Sequence, residues 1–429
     1  MPTGRQLVAY STLAFFCLFF LSSGLTSPDD LWQRLTTTRT PDFSRYTPPQ
    51  TLSDTQFPIH DPHKRVIILG DVHGMDKPFH ALLAKLSYDP SSDVLMHVGD
   101  IVAKGPHEGS MAVLSYMAAH NVTGVRGNHD QMVIEWRSWL DWIAGLDGGA
   151  HWLRELHADL AAAGPEDPEA WAQKHLKHGH RRKWGRRIPD GWKILSDHYR
   201  VAHAMSAVEY RYLLSLPLVL HVPAAHAFIA HGGILPSDPR YKPYHRRQPL
   251  ARVPALPKSA KHNKADPGKQ LSLLRRLQEA AVLAHVPQNR DPWVTLNIRG
   301  VLDDNSVTRT KDGEPWADIW NRDVSSCVGF EAHLHLHRTE RSTPALPCYP
   351  ATVVYGHAAA RGLDVKRWSV GLDSGCVYNR HLSALVLDSK LQKSPFEADA
   401  VELDVEARKK ITIPFGEGSG RVVTVSCKD

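Results

Sequence analysis

The sequence predicts an α/β fold in which buried strands alternate with amphipathic helices. The first observation is a series of short apolar runs typical of buried strands, at 66–69, 94–98, 122–125, 227–230 and 352–355. The second is the helical spacing of apolar residues between the first two runs, at Phe79, Leu82, Leu83 and Leu86. A further helix is predicted over 108–119 and a last strand over 421–426. This alternation indicates the α/β class.

The 429 residues suit one large α/β domain with insertions and flanking segments. We expect a catalytic domain over 65–390, interrupted by basic insertions near 164–187 and 240–269. A flexible stalk is predicted over 26–64, because that segment is rich in Thr, Ser, Pro and Asp and lacks apolar periodicity. Residues 391–429 form a predicted C-terminal extension.

The N-terminus carries an uncharged, mostly apolar run over 7–25 that is about long enough to cross a bilayer as a helix. Arg5 precedes the run and Asp29 and Asp30 follow it. The positive-inside tendency then predicts a cytosolic segment 1–6 and a lumenal catalytic domain, in a single-pass membrane protein. The alternative is a cleaved signal peptide and a secreted protein, because the run and the small residues that end it also satisfy that pattern.

The formal net charge of +6 favours an anionic partner such as a phosphate chain, a nucleic acid or a membrane surface. The basic stretches are not interleaved with stacking aromatic residues, which argues against a specific nucleic-acid partner. The five cysteines are too irregularly spaced for a compact zinc motif, so disulfides are permitted and their pairing stays open. The sequence does not indicate an oligomeric state.

Side chains with metal-binding chemistry follow every predicted core strand. They occur in the motifs GDVHG, GD, GNHD, HGG and GH, and the candidate ligands are Asp71, His73, Asp100, Asn128, His231 and His357. In open α/β sheets, binding sites form at the carboxyl ends of the strands, so separate loops can deliver these side chains to one pocket.

Mixed imidazole, carboxylate and amide donors suit divalent Zn, Mn, Co or Fe better than Ca or a thiolate site. We expect two ions, one held by Asp71, His73 and Asp100 and the other by Asn128, His231 and His357. Asp100 would bridge them at a separation of about 3.5–4 Å. A hydroxide between the ions would be the nucleophile that attacks phosphorus in line.

The residue next to Asn128 is the candidate general acid. His129 can point its ring at the leaving oxygen while its neighbour binds metal, and Asp100 and Asn128 complete the catalytic set. Lys104 and Arg126 lie near the same loops and are candidate phosphate-binding residues, with Arg126 the better bidentate donor.

The motifs occur in an order that resembles a known family. GDVHG, GDIVAKGP, VRGNHD, HGG and YGH resemble, in order, the motifs of the PPP-type serine/threonine phosphatases. The segment VGLDSGCVY at 370–378 is similar to one in bacterial diadenosine tetraphosphatases, so the chain resembles the ApaH-like phosphatases over about 66–388. This resemblance implies a calcineurin-like metallophosphoesterase, built as a two-sheet sandwich flanked by helices, with the metal roles given above.

Two neighbouring positions depart from the GDxVDRG motif of the protein phosphatases. Ala103 and Lys104 stand where those enzymes carry Asp and Arg. The usual carboxylate partner of the general acid is therefore missing, and another group, with Asp130 as a candidate, would have to orient His129. This departure argues against protein dephosphorylation.

An N-terminal anchor joined to such a domain also resembles the fungal vacuolar endopolyphosphatases. That resemblance implies internal cleavage of inorganic polyphosphate, a vacuole-membrane location, and a role for the basic insertions as a track for a polyanion. The alternatives are dinucleoside polyphosphate hydrolysis, RNA cap cleavage and phosphoprotein hydrolysis. From a different class, the chain could be a polyanion-binding receptor without catalysis.

Overall fold

The computed structural model describes residues 40–177, 181–257, 266–331, 345–393 and 410–428. The chain divides into a smaller unit of residues 1–42 and 171–192 and a larger unit of residues 43–170 and 193–429. The predicted basic insertion near 164–187 is divided between these units. The role of either insertion as a polyanion track stays a prediction.

The strands and helices are numbered in chain order. The strands are β1 Gln50–Thr51, β2 Arg65–Leu69, β3 Asp93–His97, β4 Thr123–Gly124, β5 Val219–Val222, β6 Ala227–Ala230, β7 Gly300–Val301, β8 Val307–Thr308, β9 Glu314–Pro315, β10 Thr352–Tyr355, β11 Asp364–Lys366, β12 Ser369–Gly371, β13 His381–Asp388, β14 Lys410–Phe415 and β15 Gly418–Ser426. The helices are α1 Asp76–Leu86, α2 His107–Ala119, α3 Asn128–Ala144, α4 Gly149–Ala163, α5 Pro168–His175, α6 Arg181–Gly185, α7 Asp197–Ala204, α8 Ala207–Ser215, α9 Pro267–His285, α10 Pro292–Asn297, α11 Trp316–Val324 and α12 Ser389–Lys393.

The larger unit contains two six-stranded sheets. Sheet A has the strand order β1-β5-β6-β10-β12-β11, and sheet B has the order β14-β15-β13-β2-β3-β4. A small third sheet joins β8, β7 and β9. The α/β prediction is confirmed, and each of the five predicted core strands begins and ends within one residue of its observed bounds.

Each large sheet contains a trio of parallel strands. In sheet B, β3 pairs in parallel with β2 and β4, and in sheet A, β10 pairs in parallel with β6 and β12. The carboxyl ends of each trio therefore lie at one edge of their sheet. This arrangement determines where the loops that follow these strands can meet.

Side chains at alternate positions along a strand pack into two different hydrophobic cores, one on each face of the sheet. Ala227 and Ile229 of β6 belong to the core between the sheets, together with side chains from β2, β3 and β13. Phe228 packs on the opposite face of sheet A, where its ring lies 6.0 Å from that of Trp320 in α11. Both faces of β6 are covered, which is why its sequence is a continuous apolar run.

The segments that flank the predicted domain also contribute strands. In the predicted stalk, β1 pairs with β5, and Phe57 and Ile59 are each 1% exposed. These apolar side chains are too few to show periodicity, but they pack into the core between the sheets. Residues 26–39 of the stalk lie outside the described residues. At the other end, β14 and β15 extend sheet B beside β13.

Two disulfides join Cys327 to Cys348 and Cys376 to Cys427. The second connects the segment after β12 with the residue that follows β15. The spacing of the cysteines in the sequence left their pairing open, and the structure shows these two pairs.

The predicted membrane localisation is corrected by the helices. Among the residues that the structure describes, no helix is both long and apolar enough to span a bilayer. The longest of them, α9, carries Lys269, Arg275 and Glu279 within its 19 residues. The predicted single-pass protein of the vacuole membrane with a lumenal catalytic domain is wrong on this finding. The apolar run at 7–25, to which the anchor was assigned, lies outside the described residues.

Candidate metal and active site

The six predicted ligands all follow strands of the two parallel trios. In sheet B, Asp71 and His73 follow β2, Asp100 follows β3, and Asn128 begins α3 shortly after β4. In sheet A, His231 follows β6 and His357 follows β10. The structure brings these side chains together where the carboxyl edges of the two sheets meet.

Two groups of ligand atoms share one carboxylate. The ligand atoms of Asp71, His73 and Asp100 all lie within 4.8 Å of one another, and so do those of Asp100, His231 and His357. The side-chain oxygen of Asn128 lies 3.0 Å from His231 Nε2 and 2.9 Å from His357 Nδ1, which places it with the second group. This arrangement is compatible with the predicted pair of ions, whose ligands stay a prediction.

The donors of this cluster fit a divalent cation. Oδ1 of Asp71 and Nδ1 of His73 are buried and have no hydrogen-bond partner among the described residues. Such atoms are normally paired, so each of them calls for a partner. Burial and the nearby charge of Asp373 raise the pKa of Asp71, and a divalent cation would relieve this crowding of carboxylates. Carboxylate, imidazole and amide donors together suit borderline ions such as Zn²⁺ or Mn²⁺.

Two glycines leave the space that the carboxylates occupy. A Cβ at Gly127 would lie 2.1 Å from Asp100 Oδ1, and a Cβ at Gly356 would lie 2.1 Å from Asp71 Oδ1. Neither position can carry a side chain without displacing a candidate ligand. The glycines of GNHD and GH are therefore required by close packing against the site.

Three of the candidate ligands adopt left-handed backbone conformations. The φ angles are 48° at His73, 50° at Asp100 and 68° at His357. A non-glycine residue in this region costs roughly 1–2 kcal/mol, so the surrounding structure must hold these loops in place. Asp130 supplies part of that support, because its carboxylate accepts hydrogen bonds from the amides of Asp100, Ile101 and Gly127 at 2.8–3.1 Å.

The ring of His231 is oriented by a backbone carbonyl. Its Nδ1 lies 2.9 Å from the carbonyl oxygen of Val98, which can only accept a hydrogen bond. A proton therefore sits on Nδ1, and Nε2 is the ring nitrogen that lies beside Asp100 Oδ2, at 3.3 Å. An outer hydrogen bond of this kind fixes the tautomer that a metal requires.

A cavity of about 260 Å³ opens over the cluster. Its walls include His73, Asp100, Asn128, His129 and His357 of the predicted set. Its cationic side chains are the predicted Lys104 and two that the sequence analysis did not single out, Arg299 and Arg309. The cavity thus joins the candidate metal ligands to positive groups that suit a phosphorylated substrate.

Residues 64–249 match the family model for calcineurin-like phosphoesterases. The chain is thus similar to this family over less than half of its length. It is similar to serine/threonine-protein phosphatase 1 of Salmonella typhimurium, with 33% identity over 23% of this chain and 45% of that protein. It is also similar to the symmetrical bis(5'-nucleosyl)-tetraphosphatase of Klebsiella pneumoniae, with 48% identity over 15% of this chain and 22% of that protein. Serine/threonine-protein phosphatase 2 of Escherichia coli is 32% identical over 22% of this chain and 43% of its own length.

The chain spans less than half the length of each of these relatives. Their similarity supports the predicted relation to PPP-type and ApaH-like phosphatases. The predicted resemblance to fungal vacuolar endopolyphosphatases gains no support from them.

Arg126 is not among the residues that line the cavity. Its guanidinium is buried and donates to the side chain of Gln131 and to the carbonyl oxygens of Arg45, Leu213 and Leu214. Burial lowers the pKa of Arg126 to about 10. The predicted phosphate-binding role is therefore replaced by a structural one. Arg126 was predicted to reach the site because it is close to Asn128 in sequence, but the two side chains point in different directions.

Sequence reasoning missed several residues beside the predicted set. Asp373 follows β12 and lies in the cavity wall, so it completes the pattern of one polar residue after each strand of the parallel trios. The segment VGLDSG contains Asp373 just after a strand. That strand, β12, has only three residues, so it shows no clear apolar run in the sequence. Arg299 and Arg309 precede and follow strands of the small third sheet, whose strands of two residues each carry no periodicity.

The orienting role predicted for Asp130 is also corrected. Its carboxylate is occupied by three backbone amides, and His129 Nδ1 instead lies 2.7 Å from His198 Nε2. His198 is 69 residues away in the chain and carried no motif of its own.

Proposed function

We propose that this protein is a metal-dependent hydrolase of phosphoanhydride bonds, with inorganic polyphosphate as the leading substrate. The observation that carries the proposal is the presence of Lys104, Arg299 and Arg309 in the same cavity as the candidate metal ligands. Every phosphoryl unit of a phosphate chain is charged, so a cationic wall can bind the units next to the one that reacts. A substrate with a single phosphoryl group would leave much of this charge unused.

The residues of the site have different proposed roles, which follow from their positions. Asp71, His73, Asp100, Asn128, His231 and His357 would hold two divalent ions. When bound, such ions neutralise the phosphoryl oxygens and activate water at neutral pH. His129 lines the cavity and would donate a proton to the leaving oxygen.

The cationic side chains lie at defined places around the cluster. The Arg299 guanidinium lies 3.1 Å from the backbone oxygen of His357, at the edge of the second ligand group. Lys104 Nζ lies 3.4 Å from the hydroxyl of Tyr378, which also lines the cavity. Both could contact phosphoryl oxygens on either side of the reacting phosphorus.

A second candidate is hydrolysis of dinucleoside polyphosphates. It is favoured by the 48% identity to the Klebsiella pneumoniae tetraphosphatase over 65 residues. Both candidates break the same kind of bond, and they differ in whether the phosphate chain ends in nucleosides.

The proposal is tested by product analysis with the full chain and four substrates: long-chain polyphosphate, diadenosine tetraphosphate, a capped RNA and a phosphoserine peptide. Each would be incubated with Zn, Mn, Co or Mg and, as the control, with a chelator. We expect metal-dependent shortening of polyphosphate through intermediate lengths on a gel, because the cationic wall can bind units on both sides of the cleaved bond.

Each other outcome has a defined meaning. Cleavage of diadenosine tetraphosphate or capped RNA alone would keep the phosphoanhydride chemistry and reassign the substrate. Turnover of the phosphopeptide alone would contradict the proposal. Salt-sensitive binding of polyphosphate without any product would indicate a receptor.

A further inference from the structure

We propose that His198 and Asp197 are positioning residues for His129, forming a relay that ends at the carboxylate of Asp197. This inference rests on the proposed function, since it assigns the partners of the acid in that reaction. His129 Nδ1 lies 2.7 Å from His198 Nε2, and His198 Nδ1 lies 2.7 Å from Asp197 Oδ1. Both distances are those of strong hydrogen bonds.

The chemistry of the three groups sets the direction of the relay. A carboxylate only accepts hydrogen bonds, so His198 Nδ1 carries the proton that Asp197 accepts. The lone pair of His198 Nε2 is then free to accept the proton on His129 Nδ1. The planes of the two imidazole rings are 16° from parallel and their centroids lie 5.0 Å apart, which is compatible with rings that meet nitrogen to nitrogen. Nε2 of His129 is left as the atom that can serve the substrate.

The His198–Asp197 pair provides the hydrogen-bond acceptor for His129 that the loop after β3 does not contain. Ala103 offers no side-chain acceptor for His129, although its loop lies beside the site. Instead, the backbone amide of Lys104, the next residue in that loop, donates to Asp197 Oδ2 at 2.7 Å. One carboxylate therefore fixes both the loop that carries Lys104 and the ring of His198.

Helix packing holds the two histidines in register. His129 lies in the first turn of α3 and His198 in the first turn of α7, and these two helices pack against each other. Tyr199 anchors α7, since it is fully buried and its ring meets that of Trp136 from α3 at 5.1 Å. Ser196 caps the same end of α7 through its hydroxyl oxygen, which accepts from the amide of Tyr199. The imidazole pair thus rests on rigid elements.

The hydrolysis step shows why this orientation matters. The oxygen of water forms a bond to phosphorus, and the bond from phosphorus to the leaving oxygen breaks. The leaving oxygen takes the electron pair together with the proton of His129 Nε2, while the proton lost by water passes to solvent. His198, itself held by Asp197, keeps that Nε2 pointed toward the cavity, so the proton is delivered from a fixed position.

The test compares the full-length variants His198→Ala and His198→Gln with the wild type on two aryl phosphates. A general acid matters most when the leaving group is basic, as in phenyl phosphate, and little when it is acidic, as in 2,4-dinitrophenyl phosphate. We expect His198→Ala to lower kcat on phenyl phosphate by about 10–100-fold, a share of the general-acid effect, and on the dinitrophenyl ester by less than about threefold. His198→Gln should recover part of the loss, because its amide can accept from His129 and donate to Asp197.

His203→Ala is the matched control, because His203 lies exposed on the same helix and outside the relay. It should match the wild type on both esters, and all variants should keep the wild-type metal content. An equal loss of kcat on both esters, or loss of metal in His198→Ala, would show a merely structural role and overturn the proposal. Unchanged kcat on phenyl phosphate would overturn it as well.

A second readout does not depend on activity. In the zinc-loaded protein, the proton between His129 and His198 should give a downfield ring N–H resonance that disappears in both His129→Asn and His198→Ala. Its absence from the wild type would contradict the relay. If the wild type hydrolyses no phosphate substrate while this resonance is present, the proposed function fails and the histidine pairing stands.

Discussion

Asp100→Asn is expected to remove bound metal and activity together. Asp100 is shared by both groups of candidate ligands, and its Oδ2 lies 3.3 Å from His231 Nε2 and 3.6 Å from His73 Nε2. A neutral amide at this position would withdraw negative charge from both ion sites at once. Without the ions to stabilise the phosphoryl oxygens, the rate should fall by more than about 10³-fold.

The measurement is metal content by mass spectrometry after gel filtration, together with turnover of the best substrate. Asp141→Asn is the matched control, since Asp141 is an exposed carboxylate that pairs with Arg137 on the surface of α3. It should retain full metal content and rate. Wild-type metal content in Asp100→Asn would contradict the shared-ligand assignment.

His129→Asn is expected to retain metal and to lose rate by about 10²–10⁴-fold, the usual contribution of general acid–base catalysis. The side chain of His129 lies in the cavity wall but belongs to neither group of candidate ligands. The hydrogen bond from its backbone amide to Asp100 Oδ1, at 2.8 Å, does not depend on the side chain and should survive the substitution.

The same two assays decide this prediction. If His129→Asn and Asp100→Asn lose metal to a similar extent, the separation of acid from ligand is wrong. If His129→Asn keeps both metal and rate, another group must protonate the leaving oxygen.

The sequence was informative wherever a strand ended in a polar residue. Buried parallel strands are recognisable as apolar runs, and the carboxyl ends of such strands meet at one edge of a sheet. Residues as far apart as Asp71 and His357 could therefore be placed in one site without knowledge of the fold. Asp373 follows the same rule, but the shortness of β12 hid it.

Side-chain direction and helix packing could not be predicted in the same way. Arg126 stands two residues before Asn128, yet its guanidinium turns into the protein to bind carbonyl oxygens. His198 reaches His129 only because α7 packs on α3, and no local pattern encodes that contact. Both errors concern tertiary geometry, which a single sequence does not specify residue by residue.

The central claim is that the two ligand groups hold a pair of ions with Asp100 between them. The most direct test is an anomalous difference map from crystals of the full chain grown with Mn²⁺ or Zn²⁺. We expect two peaks flanking the carboxylate of Asp100, one beside His73 and the other beside His231 and His357. A single peak, or peaks away from Asp100, would contradict the claim.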